Sequence, residues 1–92
     1  DLWRTIAARA EERPKGSYTA QLLAGGVDAP ARKVVEEAAE VAFAAKDQAA
    51  GTGDRDRVVE ESADLIYHLL VLLAEREIDP SEVMAELRRR GR

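Results

Sequence analysis

The chain has 92 residues, enough for one small domain that buries only a modest share of its surface. Hydrophobic residues make up 46 % and charged residues 35 %, which excludes a disordered chain; the absence of cysteine excludes disulfides and thiolate metal sites. A net charge of −4 argues against general affinity for nucleic acid, and the longest nearly apolar run, Leu65 to Ala74, is too short to cross a bilayer and is interrupted by His68.

Leu2, Trp3, Ile6, Ala7 and Ala10 recur at helical spacing and predict a first amphipathic helix from about Leu2 to Arg13, ended by Pro14 and Gly16. Ser17 or Thr19 can cap a short helix over Ala20 to Ala24, which Gly25-Gly26 stops. Asp28 is expected to cap a long helix with Pro30 in its first turn, running to about Ala50. After Gly51-Thr52-Gly53, Asp54 caps another long helix, to about Glu77. Asp79-Pro80-Ser81-Glu82 then supplies N-cap, proline at N1 and glutamate at N3 for a last helix. Its apolar face is Val83, Met84 and Leu87, and it ends in Arg88-Arg89-Arg90. No strand pattern or repeat is visible, so the expected fold is an all-α bundle of four to five helices in one domain, 1–92.

The two long helices carry the chemistry. At roughly 100° per residue, Lys33, Glu36, Glu37, Glu40 and Asp47 share about a third of the circumference of the first. On the second, Arg57, Glu61, Asp64 and His68 form a narrow polar stripe on an otherwise apolar cylinder of Val59, Ala63, Leu65, Ile66, Leu69, Leu70, Val71 and Leu72. A helix apolar nearly all round is buried on more than one side. One small chain can hardly supply that cover, so a homodimer with packed central helices is expected.

Glu37-x-x-Glu40 and Glu61-x-x-Asp64 place each acidic pair on one helix face. Both pairs lie mid-helix, away from the N-terminal dipole, and lack a basic residue at i+4. Two carboxylates ~5 Å apart repel by about 3 kcal/mol even at an effective dielectric of ~20. A solvated acidic face is the bland reading; a cation bound by Glu37, Glu40, Glu61 and Asp64 is the sharper one. Hard oxygen ligands favour Mg²⁺, with Mn²⁺ as a substitute, and Mg²⁺ brings phosphate with it. A di-iron bundle uses Glu-x-x-His from two helices, which a chain with one histidine does not match.

Each flanking residue has two readings. His68 is satisfied by a neighbouring carboxylate across the helix turn, or it contacts substrate or supports Asp64. Tyr67, on another face, reads as core or dimer interface. Lys33 holds a phosphate oxygen, or pairs with Glu37 along the helix. Lys15, Ser17, Tyr18 and Thr19 bring a cation and hydroxyls to a helix N-terminus, as in an anion site, or form an ordinary capped turn. Arg88 to Arg90 complement the dipole of the last helix or reach a phosphate.

Glu36-Glu37-Ala38-Ala39-Glu40 followed by Glu61-Ser62-Ala63-Asp64 resembles the EExxE…ExxD signature of the all-α nucleoside triphosphate pyrophosphohydrolases, the MazG-like enzymes. Gly16-Ser17-Tyr18-Thr19-Ala20-Gln21-Leu22, Lys33, Ala44-Ala45-Lys46, the stretch from Ala63 to Leu73, and the terminal Val83 to Arg90 are similar to phosphoribosyl-ATP pyrophosphohydrolases, over nearly the whole chain. The resemblance implies hydrolysis of 1-(5-phosphoribosyl)-ATP to 1-(5-phosphoribosyl)-AMP and pyrophosphate with Mg²⁺, the second step of histidine biosynthesis, by a cytoplasmic all-helical homodimer. It implies Glu37, Glu40, Glu61 and Asp64 as metal-binding carboxylates, with Glu36 beside them. Val35 stands where the family is expected to carry glycine, and the loop from Gly51 to Asp54 is slightly long.

In this reading Glu36 or Glu37 orients or deprotonates the attacking water. Lys15, Ser17, Tyr18, Thr19 and Lys33 hold phosphates, and His68 adds a substrate contact. Two other functions fit the acidic core: a housecleaning pyrophosphohydrolase of ordinary nucleoside triphosphates, and a non-enzymatic helical dimerisation module that binds a basic partner. The lack of cysteine and of a visible signal peptide agrees with a cytoplasmic home, without membrane or nucleic-acid partners. Asp1 in place of methionine carries the expectation that a few native residues are missing ahead of it.

Overall fold

A computed structural model describes residues 1–92 as five helices and no strand: α1 Leu2–Glu12, α2 Tyr18–Ala24, α3 Asp28–Ala49, α4 Arg55–Glu75 and α5 Pro80–Arg89. The all-α expectation is met, and the helix ends follow from caps. Asp1, Asp54 and Asp79 each accept a backbone N–H of the helix they open, from Arg4, Arg57 and Ser81 respectively. Glu82 Oε2 accepts from the Asp79 N–H at 3.3 Å, completing the expected capping box on α5.

Four boundaries differ from the sequence reading. Ser17 is the cap of α2, its Oγ accepting from Ala20 N–H at 3.2 Å, so that helix begins at Tyr18 and not Ala20. Asp28 lies inside the first turn of α3; the cap is Val27, which has no side-chain acceptor, and Asp28 acts there through the helix dipole. Helix α4 stops at Glu75 because Glu77 turns left-handed, at φ 58°. Arg13 ends α1 the same way, at φ 48°, and its guanidinium donates to the carbonyls of Ala10 and Leu23 at 3.1 and 3.4 Å.

Helices α3 and α4 form a long hairpin that is the main contact of the fold. Its turn folds back on the end of α3, with Thr52 and Gly53 N–H both donating to the Asp47 carbonyl. A β carbon on Gly53 would meet the Asp47 β carbon at 3.0 Å, a tight contact that glycine avoids.

Helices α1 and α2 close one end of the hairpin. Ile6, Leu22, Leu23 and Val71 form the core, with Ala10, Ala29, Tyr67, Leu70 and Ala74 packed around it. Only 10 of 92 residues are buried, and α5 buries none. Val35, Phe43, Val59, Ile66 and Met84 are each more than half exposed. The radius of gyration is 14.9 Å, against about 12 Å for a compact domain of this length. Such an open shape leaves the apolar circumference of α4 only partly covered. No helix is long and apolar enough to cross a membrane.

Candidate functional site

The hairpin brings the two acidic stripes face to face. Glu37 of α3 and Glu61 and Asp64 of α4 can each offer a carboxylate oxygen within 4.8 Å of the others. Glu40 stands outside this trio; its Oε2 accepts from Arg57 Nη2 at 3.3 Å. Lys33 Nζ lies 3.5 Å from both Glu36 and Glu37, so the pairing along α3, one of its two readings, is present. Five carboxylates thus gather with two cations, and the group keeps a net negative charge.

The setting registers on Glu61. Loss of solvent raises its carboxyl above the ordinary glutamate value; Arg57 opposes the rise, and Glu37, Glu40 and Asp64 add to it. Burial works to lower Lys33, but Tyr18, Glu36 and Glu37 together raise it. The donor set is all oxygen, and an octahedral Mg²⁺ with bonds of ~2.1 Å holds ligands at most about 4.2 Å apart. Oxygens of Glu37, Glu61 and Asp64 lie within 4.8 Å of one another, close to that spacing, and this all-carboxylate donor set fits a hard divalent ion.

Helix α2 lays its first turn against α4 beside this group. Tyr18 Oη lies 2.9 Å from His68 Nε2, and Thr19 Oγ1 lies 2.6 Å from Tyr67 Oη. The rings of Tyr18 and Tyr67 stack with centroids 6.1 Å apart, and His68 meets both edge-on. His68 is buried, and its Nδ1 lies 2.8 Å from the backbone carbonyl of Asp64. Its partner across the turn is therefore the carbonyl of residue 64, not a carboxylate as the sequence reading had it. Tyr67 packs on the core, as expected.

The 15–19 segment divides sharply. Ser17 and Thr19 are buried, their hydroxyls engaged with Ala20 and Tyr67. Lys15 is exposed on the turn and forms no ion pair. Tyr18 alone is both exposed and tethered. Arg57 lies on the polar stripe four residues before Glu61, which the sequence shows, but its pairing with Glu40 across the hairpin comes only from the tertiary fold. Arg89 and Arg90 pair with Glu86 within α5.

The description phosphoribosyl-ATP pyrophosphohydrolase matches residues 1–91. The chain belongs to the phosphoribosyl-ATP pyrophosphohydrolase family. It is similar to a phosphoribosyl-ATP pyrophosphatase of Ignicoccus hospitalis, 47 % identical over all of this chain and 85 % of that protein. A phosphoribosyl-ATP pyrophosphatase of Metallosphaera sedula is 55 % identical over 98 % of this chain and 91 % of its own length. A histidine biosynthesis bifunctional protein of Helicobacter hepaticus is 47 % identical over 98 % of this chain, which corresponds to 37 % of that protein. Membership of a phosphoribosyl-ATP pyrophosphohydrolase family makes this chain a hydrolase, and the dimerisation-module reading falls.

Proposed function

We propose that this chain, as a single domain over 1–92, hydrolyses 1-(5-phosphoribosyl)-ATP to 1-(5-phosphoribosyl)-AMP and pyrophosphate with Mg²⁺, in histidine biosynthesis and in the cytoplasm. The observation that carries the reading is the convergence of Glu37, Glu61 and Asp64 in a member of this family. These three hold the ion, with Glu40 as a fourth ligand once it leaves Arg57. A bound Mg²⁺, for which Mn²⁺ can substitute, neutralises charge on the triphosphate and its leaving pyrophosphate. Glu36, exposed and held at 3.5 Å from Lys33, orients the attacking water, with Glu37 as the alternative base. Lys33 moves from its two glutamates to a phosphate oxygen, and Lys15, exposed on the turn before α2, is the second candidate cation for a phosphate. Tyr18 lines the rim, with Ser17 and Thr19 shaping the turn that presents it and His68 behind it.

The working unit proposed is a homodimer. Its support is the exposed apolar surface of Val59, Ile66 and Leu69 on α4 and of Val35 and Phe43 on α3, beside a core too small for the chain.

The test is product analysis with phosphoribosyl-ATP and Mg²⁺ for the wild type and for Glu61→Gln and Asp64→Asn. Wild type should release pyrophosphate and not orthophosphate. Each variant should lose ~100-fold or more, since even outer partners of a metal ligand cost 10–100-fold. Wild-type turnover and Mg²⁺ dependence in both variants would overturn the metal assignment. Equal or faster turnover of ordinary nucleoside triphosphates would favour the housecleaning reading.

A further inference from the structure

We propose that His68 is a positioning residue that fixes the polarity of the Tyr18 hydroxyl, so that Tyr18 faces the carboxylate group as a hydrogen-bond acceptor and takes a ribose hydroxyl of the nucleotide, not a phosphate oxygen. The nucleotide part of this rests on the function proposed above; the polarity does not.

The inference follows from donor and acceptor inventory. A backbone carbonyl only accepts, so the 2.8 Å contact between His68 Nδ1 and the Asp64 carbonyl requires a proton on Nδ1. In the neutral imidazole Nε2 is then bare and accepts. The Tyr18 hydroxyl, 2.9 Å away, must donate its single proton to it. What remains on Tyr18 Oη is lone-pair capacity. His68 itself is buried, with both ring nitrogens engaged, and has nothing left to offer a ligand.

Tyr18 is 46 % exposed, and Lys33, Glu36 and Glu37 lie near enough to act on its hydroxyl. Loss of solvent holds that phenol protonated, which keeps the donor to Nε2 in place. Stacking on Tyr67, itself tied to Thr19 at 2.6 Å, fixes the ring plane. An acceptor set at the rim of a cation-binding group rejects phosphate oxygens, which are acceptors too; once the Lys33 ammonium, the donor nearest to act on Tyr18, is drawn to a phosphate, that acceptor is left to take an O–H. Sugar hydroxyls are the donors that a nucleotide carries next to its phosphates.

His68 is the only histidine of the chain, so nitrogen-labelled histidine gives a spectrum of this ring alone. In mildly alkaline buffer the wild type should show a protonated Nδ1 and a bare Nε2; a protonated Nε2 overturns the inference. Tyr18→Phe should raise KM for phosphoribosyl-ATP about tenfold, the factor that ~1.4 kcal/mol represents, with kcat within about twofold. Inhibition by pyrophosphate should be unchanged in that variant. An unaltered KM, or weakened pyrophosphate inhibition, overturns the hydroxyl assignment.

His68→Leu should raise KM as Tyr18→Phe does, the double variant should do no more than either, and His68→Gln, which restores an acceptor, should recover most of the loss. Independent, multiplying effects overturn the positioning role. If His68→Leu fails to fold, the ring spectrum and Tyr18→Phe decide alone. Wild-type enzyme that releases no pyrophosphate from phosphoribosyl-ATP overturns the function and the hydroxyl assignment with it. Wild-type turnover with a protonated Nε2 overturns this inference alone.

Discussion

At the residue scale the site is a competition for carboxylates. Arg57 holds Glu40 at 3.3 Å, half-exposed, in a pair that water screens. Its charge also opposes the raised proton affinity of Glu61. Removing that positive charge should help a cation bind. Arg57→Gln is expected to raise Mg²⁺ affinity about twofold to fivefold, the range of an exposed ion pair, as read from the rise of the melting temperature with Mg²⁺ concentration. A weakened affinity would mean that Arg57 orders the ligands and does not compete for them. Asp79 gives a separate, pH-dependent prediction. The Ser81 N–H holds its carboxyl below the ordinary 3.8. A depressed carboxyl stabilises the fold above the unfolded-state value and loses that contribution as pH falls through its folded value. Below about pH 4 the melting temperature of the wild type should therefore fall more steeply than that of Asp79→Asn, which keeps a cap but cannot titrate.

Among the elements, the placing of α2 decides the site. Helix α2 is only seven residues long and could not stand alone. Leu22 and Leu23 anchor it against Ile6 and Val71, while Tyr18 and Thr19 bind His68 and Tyr67. Truncating Leu23, 1 % exposed, should cost about 2–5 kcal/mol in urea unfolding, because the core has no second layer to collapse into the gap. Sequence reading found this helix and its serine among the possible caps. It also found the α5 capping box and the α3–α4 turn, since caps, proline and glycine act through neighbours in the chain. It placed the cap of α3 one residue late, at Asp28, because the residue in that role, Val27, has no side-chain acceptor to mark it. It also gave His68 a carboxylate partner, because spacing shows which residues share a face but not whether a backbone carbonyl lies nearer.

For the whole molecule the governing feature is the row of exposed apolar side chains along α3 and α4. Ile66, 56 % exposed in the middle of the most apolar helix, lies on that surface. Sedimentation should give twice the chain mass, and the melting temperature should rise with protein concentration. Ile66→Glu should shift the mass toward that of one chain and lower the melting temperature. A single-chain mass for the wild type at micromolar concentration would remove the dimer proposal while leaving the carboxylate trio intact, since that trio lies within one hairpin.

The sequence alone determined the all-α class, the two acidic stripes and the family resemblance, because each depends on residue type at short spacing. The tertiary structure decided which carboxylates meet. Glu37, Glu61 and Asp64 converge while Arg57 draws Glu40 aside, since the angle and depth of two packed helices set distances that spacing along either one does not contain. It also decided the hydrogen-bond roles of Tyr18 and His68, residues fifty positions apart that only the docking of α2 on α4 brings within 2.9 Å.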